Sequence, residues 1–477
     1  MYAFEDTIAA PATIPGTGAI SIIRISGPDA FAICGRLIRL QHGDLEQLPG
    51  GLVRYGTAYS LQGKELDDVI VSTFRNPHSY TGEDSVEISF HASSYVATAL
   101  MTALLDAGAR MAAPGEFTRR AYVNGKMDLA QAEAVADLIA SKSEAAHTLA
   151  IHQLRGGFSK ELEALREKLL DMAALLELEL DFSEEDVEFA NREQLQSLLA
   201  LVLDKVRSLS ESFRLGQAIA KGVPVAIVGA VNAGKSTLLN ALLGDERAIV
   251  TDIPGTTRDT IESELVINGI LFRLIDTAGL RDTDETVEKI GIARSKKTIS
   301  EASILLYVAD AGATEEEILA PFRDLLAMAD SKRQILVFGL NKCDIFGKNP
   351  QEWGGNIFVS NINKDVLSID KQAIVVPFSA RGKIGVQAVK NTLAAVIKDQ
   401  IGESEGTLVS NLRHYEALRK AQESLRAVQE GLDTSRPTDL LALDLRSALT
   451  HLASITGMSI DSNDILGHIF ARFCIGK

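Results

Sequence analysis

Hydrophobic positions follow three different patterns along the chain, and each pattern predicts a different kind of domain. Residues 1 to about 120 contain short apolar runs such as AISIIRIS and DVIVSTF between glycine and proline turns, with one Ala/Leu-rich helix in VATALMTALLDAG. This mixture predicts a small α+β domain. From about 122 to 217, apolar residues recur every three or four positions, which predicts long amphipathic helices. The first of these is expected to be one helix over MDLAQAEAVADLIASKSEAAHTLA.

Beyond Pro224 the pattern changes to short, fully apolar runs separated by helical stretches. The runs PVAIVG, LFRLIDTAG, SILLYVADA, QILVFGLNK and AIVVPFSA are typical of buried strands in a parallel sheet. After about residue 400 helices return, in NLRHYEALRKAQESLRAVQEGL and PTDLLALDLRSALTHLASITG. The simplest interpretation is an α/β domain inserted into a helical domain whose two segments pack together. Two independent helical domains are the alternative.

These patterns predict a multidomain α/β protein. The expected boundaries are 1–121 for the α+β domain, 122–217 and 401–477 for the two parts of the helical domain, and 218–400 for the α/β domain. Within the α/β domain, the segment IFGKNPQEWGGNIFVSNINKDVLS (345–368) is expected to be a surface excursion.

The strongest motif is GAVNAGKST, Gly229 to Thr237, which matches GxxxxGK[ST] between an apolar strand and an apolar helix. Its glycines let the loop curl so that backbone N–H groups face phosphate oxygens, and the helix N-terminus adds a favourable dipole. Lys235 is expected to neutralise phosphate charge, and the Ser236 hydroxyl suits Mg²⁺. The predicted nucleotide contacts here are Asn232, Ala233, Gly234, Lys235, Ser236 and Thr237.

Three further motifs identify the nucleotide as GTP. DTAG follows the strand LFRLI, as expected of an acid that holds Mg²⁺ through water. NKCD follows QILVFGL, and its carboxylate can accept from two N–H groups that guanine has and adenine lacks. SAR follows AIVVPF and is expected to close over the guanine. The predicted contacts are Asp276, Thr277, Ala278, Gly279, Asn341, Lys342, Asp344, Ser379, Ala380 and Arg381.

The residue after DTAG predicts an unusual catalytic group. Ras-like proteins place a water-orienting glutamine there, but this chain has Leu280, which cannot orient water. The nearby alternatives are Arg281, Asp282, Asp284, Glu285 and Glu288, although a solvated acidic loop is the ordinary explanation for such a cluster.

The chain resembles the MnmE (TrmE) family of bacterial tRNA-modification GTPases over essentially its full length. The stretches that carry the resemblance are DTIAAPATIPGTGAISIIRISG, SYTGEDSVEI, PGEFTRRAYVNGKMDLAQAEAVADLI, TDIPGTTRD, DTAGLRDTDETVEKIGI and FCIGK. The resemblance implies a Ras-like, TrmE-type G domain inserted into the helical domain. It also implies an N-terminal domain that binds tetrahydrofolate and forms a homodimer.

The resemblance also implies a metal-dependent GTPase site. Ser236 and Thr257 would hold Mg²⁺, and Asn232, Thr251, Ile253 and Thr256 would hold K⁺. Hydrolysis would be switched on when two G domains meet, with Glu288 as the water-orienting carboxylate. The whole segment TDIPGTT is expected to contact GTP: Thr251, Asp252, Ile253, Pro254, Gly255, Thr256 and Thr257.

For the remaining chemistry, the resemblance implies a folate site and a partner. Arg24, Glu87, Lys126 and Lys477 match the family's 5-formyltetrahydrofolate contacts, although each would ordinarily be a surface charge or an ion-pair member. The family works with the FAD-containing protein MnmG on the wobble uridine (position 34) of certain tRNAs. Together they add an aminomethyl or carboxymethylaminomethyl group at C5, with methylenetetrahydrofolate as the expected carbon donor.

Composition and charge limit the partners and the cellular compartment that we expect for this protein. The net charge is −16, so a general nucleic-acid binder is disfavoured, and a basic partner is expected to make most tRNA contacts. No apolar run approaches the ~20 residues of a membrane span. MYAFEDTIAAPA has neither the basic nor the apolar region of a signal peptide. Three scattered cysteines fit a reducing compartment, and no CxxC or HxxxH spacing suggests zinc. We therefore expect a cytoplasmic protein.

The ending FCIGK has three interpretations. Cys474 could be a prenylation site, but Gly476 and Lys477 do not fit the C-a-a-X pattern. It could be a core cysteine, although terminal segments seldom hold core positions. The favoured interpretation is a catalytic thiol, made more acidic by Arg472 and Lys477, that the resemblance places at the folate and uridine site.

Two other functions remain open from the sequence. A related GTPase of ribosome assembly would share the P-loop, TTRD and DTAGL patterns, but not the folate-like domain or the FCIGK ending. A nucleotide-regulated scaffold would bind GTP without needing hydrolysis, which the intact Lys235, Ser236, Thr257 and Glu288 disfavour.

Overall fold

The computed structural model describes residues 5–181, 192–244, 262–276, 298–330, 333–403, 407–434 and 436–457. The chain divides into two compact units, Met1–Ala136 and Asp137–Lys477.

The first unit is built on a seven-stranded sheet. Its strands are β1 (Ile8–Pro11), β2 (Ile20–Ser26), β3 (Ile38–Leu40), β4 (Leu52–Tyr59), β5 (Glu65–Phe74), β6 (Ser85–His91) and β7 (Arg110–Met111). They lie in the order β3-β4-β5-β6-β2-β1-β7, with every neighbouring pair antiparallel except β1 and β7. The helices of this unit are α1 (Ala30–Leu37), α2 (Ser94–Asp106) and α3 (Glu116–Val123), with a 3-10 turn at Leu45–Gln47.

Alternation along the central strands decides which side chains face the helices. Ile23 and Ile25 of β2 are buried in one core cluster with residues of α1 and α2, and Val86 and Ile88 of β6 join the same cluster. Successive side chains of a strand point to opposite faces. Arg24 and its register partner on β6 therefore share the other face of the sheet.

The second unit begins with helices. They are α4 (Leu129–Ala140), which contains the boundary between the units, α5 (Glu144–Leu154), α6 (Gly157–Asp181), α7 (Arg192–Glu211) and α8 (Phe213–Lys221). The prediction of one long helix across α4 and α5 is wrong. Ser143 has extended backbone and its Oγ accepts from the Ala146 N–H at 3.2 Å, so a serine N-cap starts a new helix.

A mostly parallel sheet follows the helices. Its elements are β8 (Val223–Val228), α9 (Lys235–Leu243), β9 (Glu262–Ile267), β10 (Ile270–Asp276), β11 (Ile304–Asp310), α10 (Glu315–Met328), β12 (Ile335–Asn341), α11 (Pro350–Gly354), α12 (Ile357–Ile369), β13 (Ile374–Pro377) and α13 (Val386–Glu403). Among the described residues the strand order is β13-β12-β11-β8-β10-β9, and only β9 and β10 run antiparallel. Apolar clusters cover both faces of this sheet, as the continuous apolar strands predict.

The segment 345–368 differs from the predicted surface excursion. Most of it lies in α11 and α12, and Trp353 is fully buried in the cluster beneath them. The Trp353 indole N–H donates to the Gly347 carbonyl oxygen at 2.8 Å, and Ile362 and Val366 of α12 face the same core. The spacing of apolar residues within this segment is consistent with buried helices. Its polar residues and glycines made the segment resemble a surface loop.

The last described helices are α14 (Leu412–Asp433) and α15 (Thr438–Thr456). Helix α14 packs against α7, and α15 packs against α6, so the segments on either side of the α/β domain form one helical assembly. This is the packing that the inserted-domain interpretation predicts. In the part of the chain that the structure describes, no helix is both long enough and apolar enough to cross a membrane.

Candidate functional site

The loop between β8 and α9 has a backbone that its glycines make possible. Gly229 has φ of 154°, and a Cβ there would lie 2.1 Å from the Val308 carbonyl oxygen. Asn232 and Gly234 adopt left-handed conformations, with φ of 63° and 94°. Loops that alternate hand in this way form concave anion-binding sites from successive backbone N–H groups. The curl predicted for GAVNAGKST is therefore present.

Lys235 concentrates positive charge within this loop. Its Nζ donates to the carbonyl oxygens of Gly229 at 3.0 Å and Ala230 at 2.8 Å. Lys235 also begins helix α9, whose N-terminal end favours anions. Ser236 and Thr237 follow on the first turn and are exposed. A phosphate chain placed here would meet a cation, a helix N-terminus and hydroxyl groups together.

Asn341, at the end of β12, joins three loops through one buried amide. Its Nδ2 donates to the Ala233 carbonyl oxygen at 2.8 Å. Its Oδ1 accepts from the Lys342 N–H at 2.8 Å and from the Ala380 N–H at 2.9 Å. A Cβ on Gly234 would lie 2.2 Å from Nδ2, so this close approach also needs glycine. One side chain therefore holds three loops in one arrangement: the P-loop between β8 and α9, the NKCD loop after β12 and the SAR loop after β13.

The SAR loop is held by its own backbone. Ser379 exchanges hydrogen bonds with Ile384, at 2.8 and 3.1 Å, and the Ser379 Oγ accepts from the Gly382 N–H at 3.1 Å. Asp344 and Arg381 are exposed, whereas Ala380 is buried. The arrangement leaves a carboxylate at the same sheet edge as the phosphate loop, which suits recognition of a base.

Sequence reasoning missed Asp310, which ends β11 and contacts this site. Its Oδ2 accepts from the Lys342 Nζ at 2.6 Å. The signal was present in SILLYVADA, because the last residues of neighbouring parallel strands meet at one sheet edge. Register pairs Asp310 with Asn341.

Several predicted site residues lie outside the described residues. They are Thr251, Asp252, Ile253, Pro254, Gly255, Thr256, Thr257, Thr277, Ala278, Gly279, Glu288, Cys474 and Lys477, together with the side chain of Asp276. Among the residues the structure does describe, no group of three or more His, Cys, Asp and Glu side chains could hold a metal ion.

In the first unit, register brings two of the predicted folate residues together. Arg24 and Glu87 are direct partners on β2 and β6, and the Arg24 Nε donates to Glu87 Oε1 at 2.8 Å. A second contact from the same guanidinium also measures 2.8 Å. The ordinary ion-pair explanation thus describes their contact with each other. Lys126 does not take part in this ion pair in the described contacts. Its Nζ donates to the Pro77 carbonyl oxygen at 2.9 Å.

Two aromatic rings that sequence reasoning missed lie beside this ion pair. The Arg24 guanidinium carbon is 5.2 Å from the centre of the Tyr80 ring and 5.7 Å from that of Phe117. Cations within about 6 Å of an aromatic face are attracted to it. Both rings lie in stretches that carry the family resemblance, SYTGED and PGEFTRR. Those stretches could have indicated that the two rings belong to the site.

A buried arginine holds the segments that carry these rings. Arg120 is fully buried and pairs with Asp6 at 2.7 Å, Glu83 at 3.3 Å and Glu116 at 3.1 Å. A hydrogen bond from the Arg110 guanidinium is the largest cause that lowers the pKa of the Glu116 carboxyl, to about 2. The network joins the segment just before β1, the loop before β6 and helix α3 into one ionic cluster.

The two described cysteines are structural. Cys34 and Cys343 are buried, and burial raises the pKa of each thiol to about 12. A thiol with so high a pKa carries almost no thiolate at neutral pH and is a poor nucleophile.

Known proteins match the chain over nearly its full length. The model for the GTP-binding protein TrmE N-terminus matches residues 7–126, and the model for the MnmE helical domain matches residues 129–474. The tRNA modification GTPase MnmE of Porphyromonas gingivalis is 47% identical over 99% of this chain and 98% of its own length. That of Flavobacterium johnsoniae is 46% identical over 99% of both chains.

Among solved structures, the FeoB G domain of Methanococcus jannaschii is 28% identical. It covers 37% of this chain and 98% of its own, with a TM-score of 0.26. The family assignment rests on the two family models and on the full-length relatives. This chain belongs to the MnmE family of tRNA modification GTPases.

Proposed function

We propose that this chain is a K⁺-dependent GTP hydrolase, activated by dimerisation, that modifies tRNA with an FAD-containing MnmG-type partner. The product is an aminomethyl or carboxymethylaminomethyl group at C5 of the wobble uridine of certain tRNAs. A tetrahydrofolate derivative supplies the carbon. The observation that carries the GTPase part is Asn341, because its buried amide joins the phosphate loop to both loops assigned to the base.

The phosphate loop would bind and polarise the β- and γ-phosphates. Lys235 and the backbone N–H groups neutralise charge as the bond between the γ-phosphorus and the bridging oxygen breaks. A water attacks the γ-phosphorus, Glu288 orients that water, and the products are GDP and phosphate. Leu280 cannot take this role, since its side chain has no polar atom.

Two cations fit the donor atoms that the chain offers. The hydroxyls of Ser236 and Thr257 suit Mg²⁺, which prefers oxygen ligands. Asn232, with an exposed side chain on the left-handed turn of the loop, would hold K⁺ together with Thr251, Ile253 and Thr256. When bound, these cations supply positive charge beside the phosphates, as an arginine finger does in other GTPases.

Guanine would be selected at the NKCD and SAR loops. The Asp344 carboxylate accepts only, so it suits the two neighbouring N–H donors on one edge of guanine. Adenine does not present that pair of donors. Lys342 and the SAR residues Ser379, Ala380 and Arg381 would form the rest of the base site.

The folate site is assigned to the face of the first sheet that carries Arg24 and Glu87. The described contacts with Glu87 Oε1 use two of the five N–H donors of the Arg24 guanidinium, so the group keeps capacity for a folate carboxylate. The Tyr80 and Phe117 rings beside it suit a flat pterin. Lys126 and Lys477 would add positive charge.

The partner protein would supply most of the tRNA contacts, and the C-terminal FCIGK segment would supply a thiol. With a net charge of −16, this chain would leave most tRNA contacts to the partner and act as a cytoplasmic homodimer. Cys474 would bring a thiol to the uridine site. A Cys474→Ser chain is then expected to hydrolyse GTP normally but to abolish modification of tRNA by the reconstituted pair. Retained modification would remove Cys474 from the mechanism.

The decisive experiment measures GTP hydrolysis by the full chain in K⁺ and in Na⁺. The expected rate is at least roughly tenfold higher in K⁺, and Glu288→Ala is expected to abolish that stimulation. Glu285→Ala, a carboxylate deletion three residues away, is the matched control and should remain stimulated. Low, K⁺-insensitive turnover in all chains would instead favour the GTP-regulated scaffold.

A further inference from the structure

Asp310 is bound through both of its carboxylate oxygens. Oδ1 accepts from the Gly312 N–H at 2.9 Å, within the turn that follows β11. Oδ2 accepts from the Lys342 Nζ at 2.6 Å. Because the first contact is to the main chain, the carboxylate has a defined position, and the lysine ammonium is held against a rigid partner.

Lys342 is therefore held at two points. Its backbone has φ of 64°, a conformation that side-chain-bearing residues seldom adopt, and its N–H is bound to Asn341. Its ammonium is bound to Asp310, while 42% of its side chain stays accessible. The flexible four-carbon stem thus spans two anchored ends. Because the stem is already ordered, its apolar carbons can contact the flat face of a nucleotide base without a further loss of rotamer freedom.

We propose that Asp310 is a positioning residue for guanine-nucleotide binding, which holds Lys342 in its binding position before the nucleotide arrives. This inference rests on the proposed assignment of Lys342 and Asp344 to the base. The competing explanation is that Asp310 only caps the turn, since its backbone oxygen also accepts from the Ala313 N–H at 3.1 Å.

An Asp310→Asn variant separates the two explanations. Asparagine keeps an oxygen for the Gly312 N–H but places an NH₂ group, which cannot accept from an ammonium, towards Lys342. Titration of the full chain with fluorescent GDP and GTP analogues should show binding weakened about three- to tenfold for both, the cost of ordering one long side chain. Binding equal to that of the unmodified chain overturns the proposal.

A carboxylate in the same domain provides the control. Glu317, at the start of α10, accepts from the Thr314 N–H at 2.9 Å in a local helix cap. Glu317→Gln removes one negative charge near β11 without touching the NKCD loop. It should leave nucleotide affinity unchanged, and the thermal midpoint of Asp310→Asn should fall no further than that of Glu317→Gln. A larger fall with parallel loss of affinity supports the turn-cap explanation.

A double-mutant cycle with Lys342→Met tests whether Asp310 acts through the lysine. Methionine keeps an apolar stem but has no ammonium to anchor. The Asp310→Asn/Lys342→Met chain should bind nucleotide as weakly as Lys342→Met alone, because the second change has nothing left to release. Further weakening in the double variant overturns the proposal.

Asp344→Asn distinguishes failure of this inference from failure of the base assignment. The variant should lose guanine nucleotide and gain xanthine nucleotide, whose added carbonyl pairs with the amide. If it does so while Asp310→Asn binds normally, only the role of Asp310 falls. If it keeps its preference for GTP, the base site is wrong, and the inference about Asp310 falls with it.

Discussion

The two candidate sites of this protein are built in opposite ways. At the P-loop, the decisive features belong to the main chain: Gly229 and Gly234 fit where a Cβ would lie 2.1 and 2.2 Å from neighbouring atoms. On the first sheet, the decisive features are side chains brought together by strand register, with Arg24 opposite Glu87. A backbone site can be recognised from local sequence, whereas a side-chain site depends on pairings that are distant along the chain.

The sites also differ in how their charges are paired. The described hydrogen bonds of Lys235 go to carbonyl oxygens, which carry no net charge. Arg24 already contacts a carboxylate, and its side chain is 29% exposed. Binding of phosphate at the P-loop is therefore expected to depend more steeply on single substitutions than binding at the candidate folate site.

The largest expected effect is that of Gly229→Ala. The added methyl group would collide with the Val308 carbonyl oxygen and move the loop. We expect this movement to remove about two charge-assisted hydrogen bonds to phosphate. Those bonds are worth about 3 kcal/mol or more in total, which corresponds to roughly 100-fold weaker GTP binding. Fluorescence titration with a GTP analogue measures this.

Gly63→Ala is the matched control for backbone strain. Gly63 also has a positive φ, of 80°, but nothing lies within 4 Å of its Cβ position. The control should cost about 1–2 kcal/mol of stability and leave GTP affinity intact. Equal loss of GTP binding in both chains would show that strain, and not the collision at Gly229, decides the result.

A smaller effect is expected for Arg24→Ala. Binding of 5-formyltetrahydrofolate to the full chain should weaken about tenfold, because a partly exposed charge-assisted contact is worth less than a buried one. Arg39→Ala is the control, since the Arg39 guanidinium lies 4.7 Å from the centre of the Tyr59 ring elsewhere on the sheet. Undiminished folate binding by Arg24→Ala, measured by calorimetry, would remove Arg24 from the site.

The ionic cluster around Arg120 should make the stability of the first unit depend on pH. The pKa of Glu116 is lowered from 4.5 to about 2, so its contribution is complete above about pH 4.5 and is lost as the pH falls towards 2. Urea unfolding at pH 7, 5, 4 and 3 should show this loss. Glu116→Gln should be less stable at pH 7 and show a shallower loss, while an unchanged slope would contradict the assignment.

Much of the P-loop site could be predicted from sequence, because its motifs follow apolar strands and parallel strands end at one edge. Asp310 is harder to recognise, because a single aspartate at the end of a strand is not a motif, and its place in the site becomes clear only when register pairs it with Asn341. The rings of Tyr80 and Phe117 were missed for a similar reason: their approach to Arg24 requires the fold. The break at Ser143 was hidden because serine within an amphipathic pattern can be either a helix residue or an N-cap.

Guanine-nucleotide binding by Asn341→Asp tests the account most directly. Aspartate keeps the oxygen that accepts from Lys342 and Ala380 but cannot donate to the Ala233 carbonyl oxygen, and it buries an unmatched charge. GTP binding is expected to weaken about 100-fold. Asn240→Asp, which adds the same charge at an exposed position of α9, should stay within about twofold of the unmodified chain. Equal affinities for the two variants would contradict the claim that Asn341 holds the three loops of the site together.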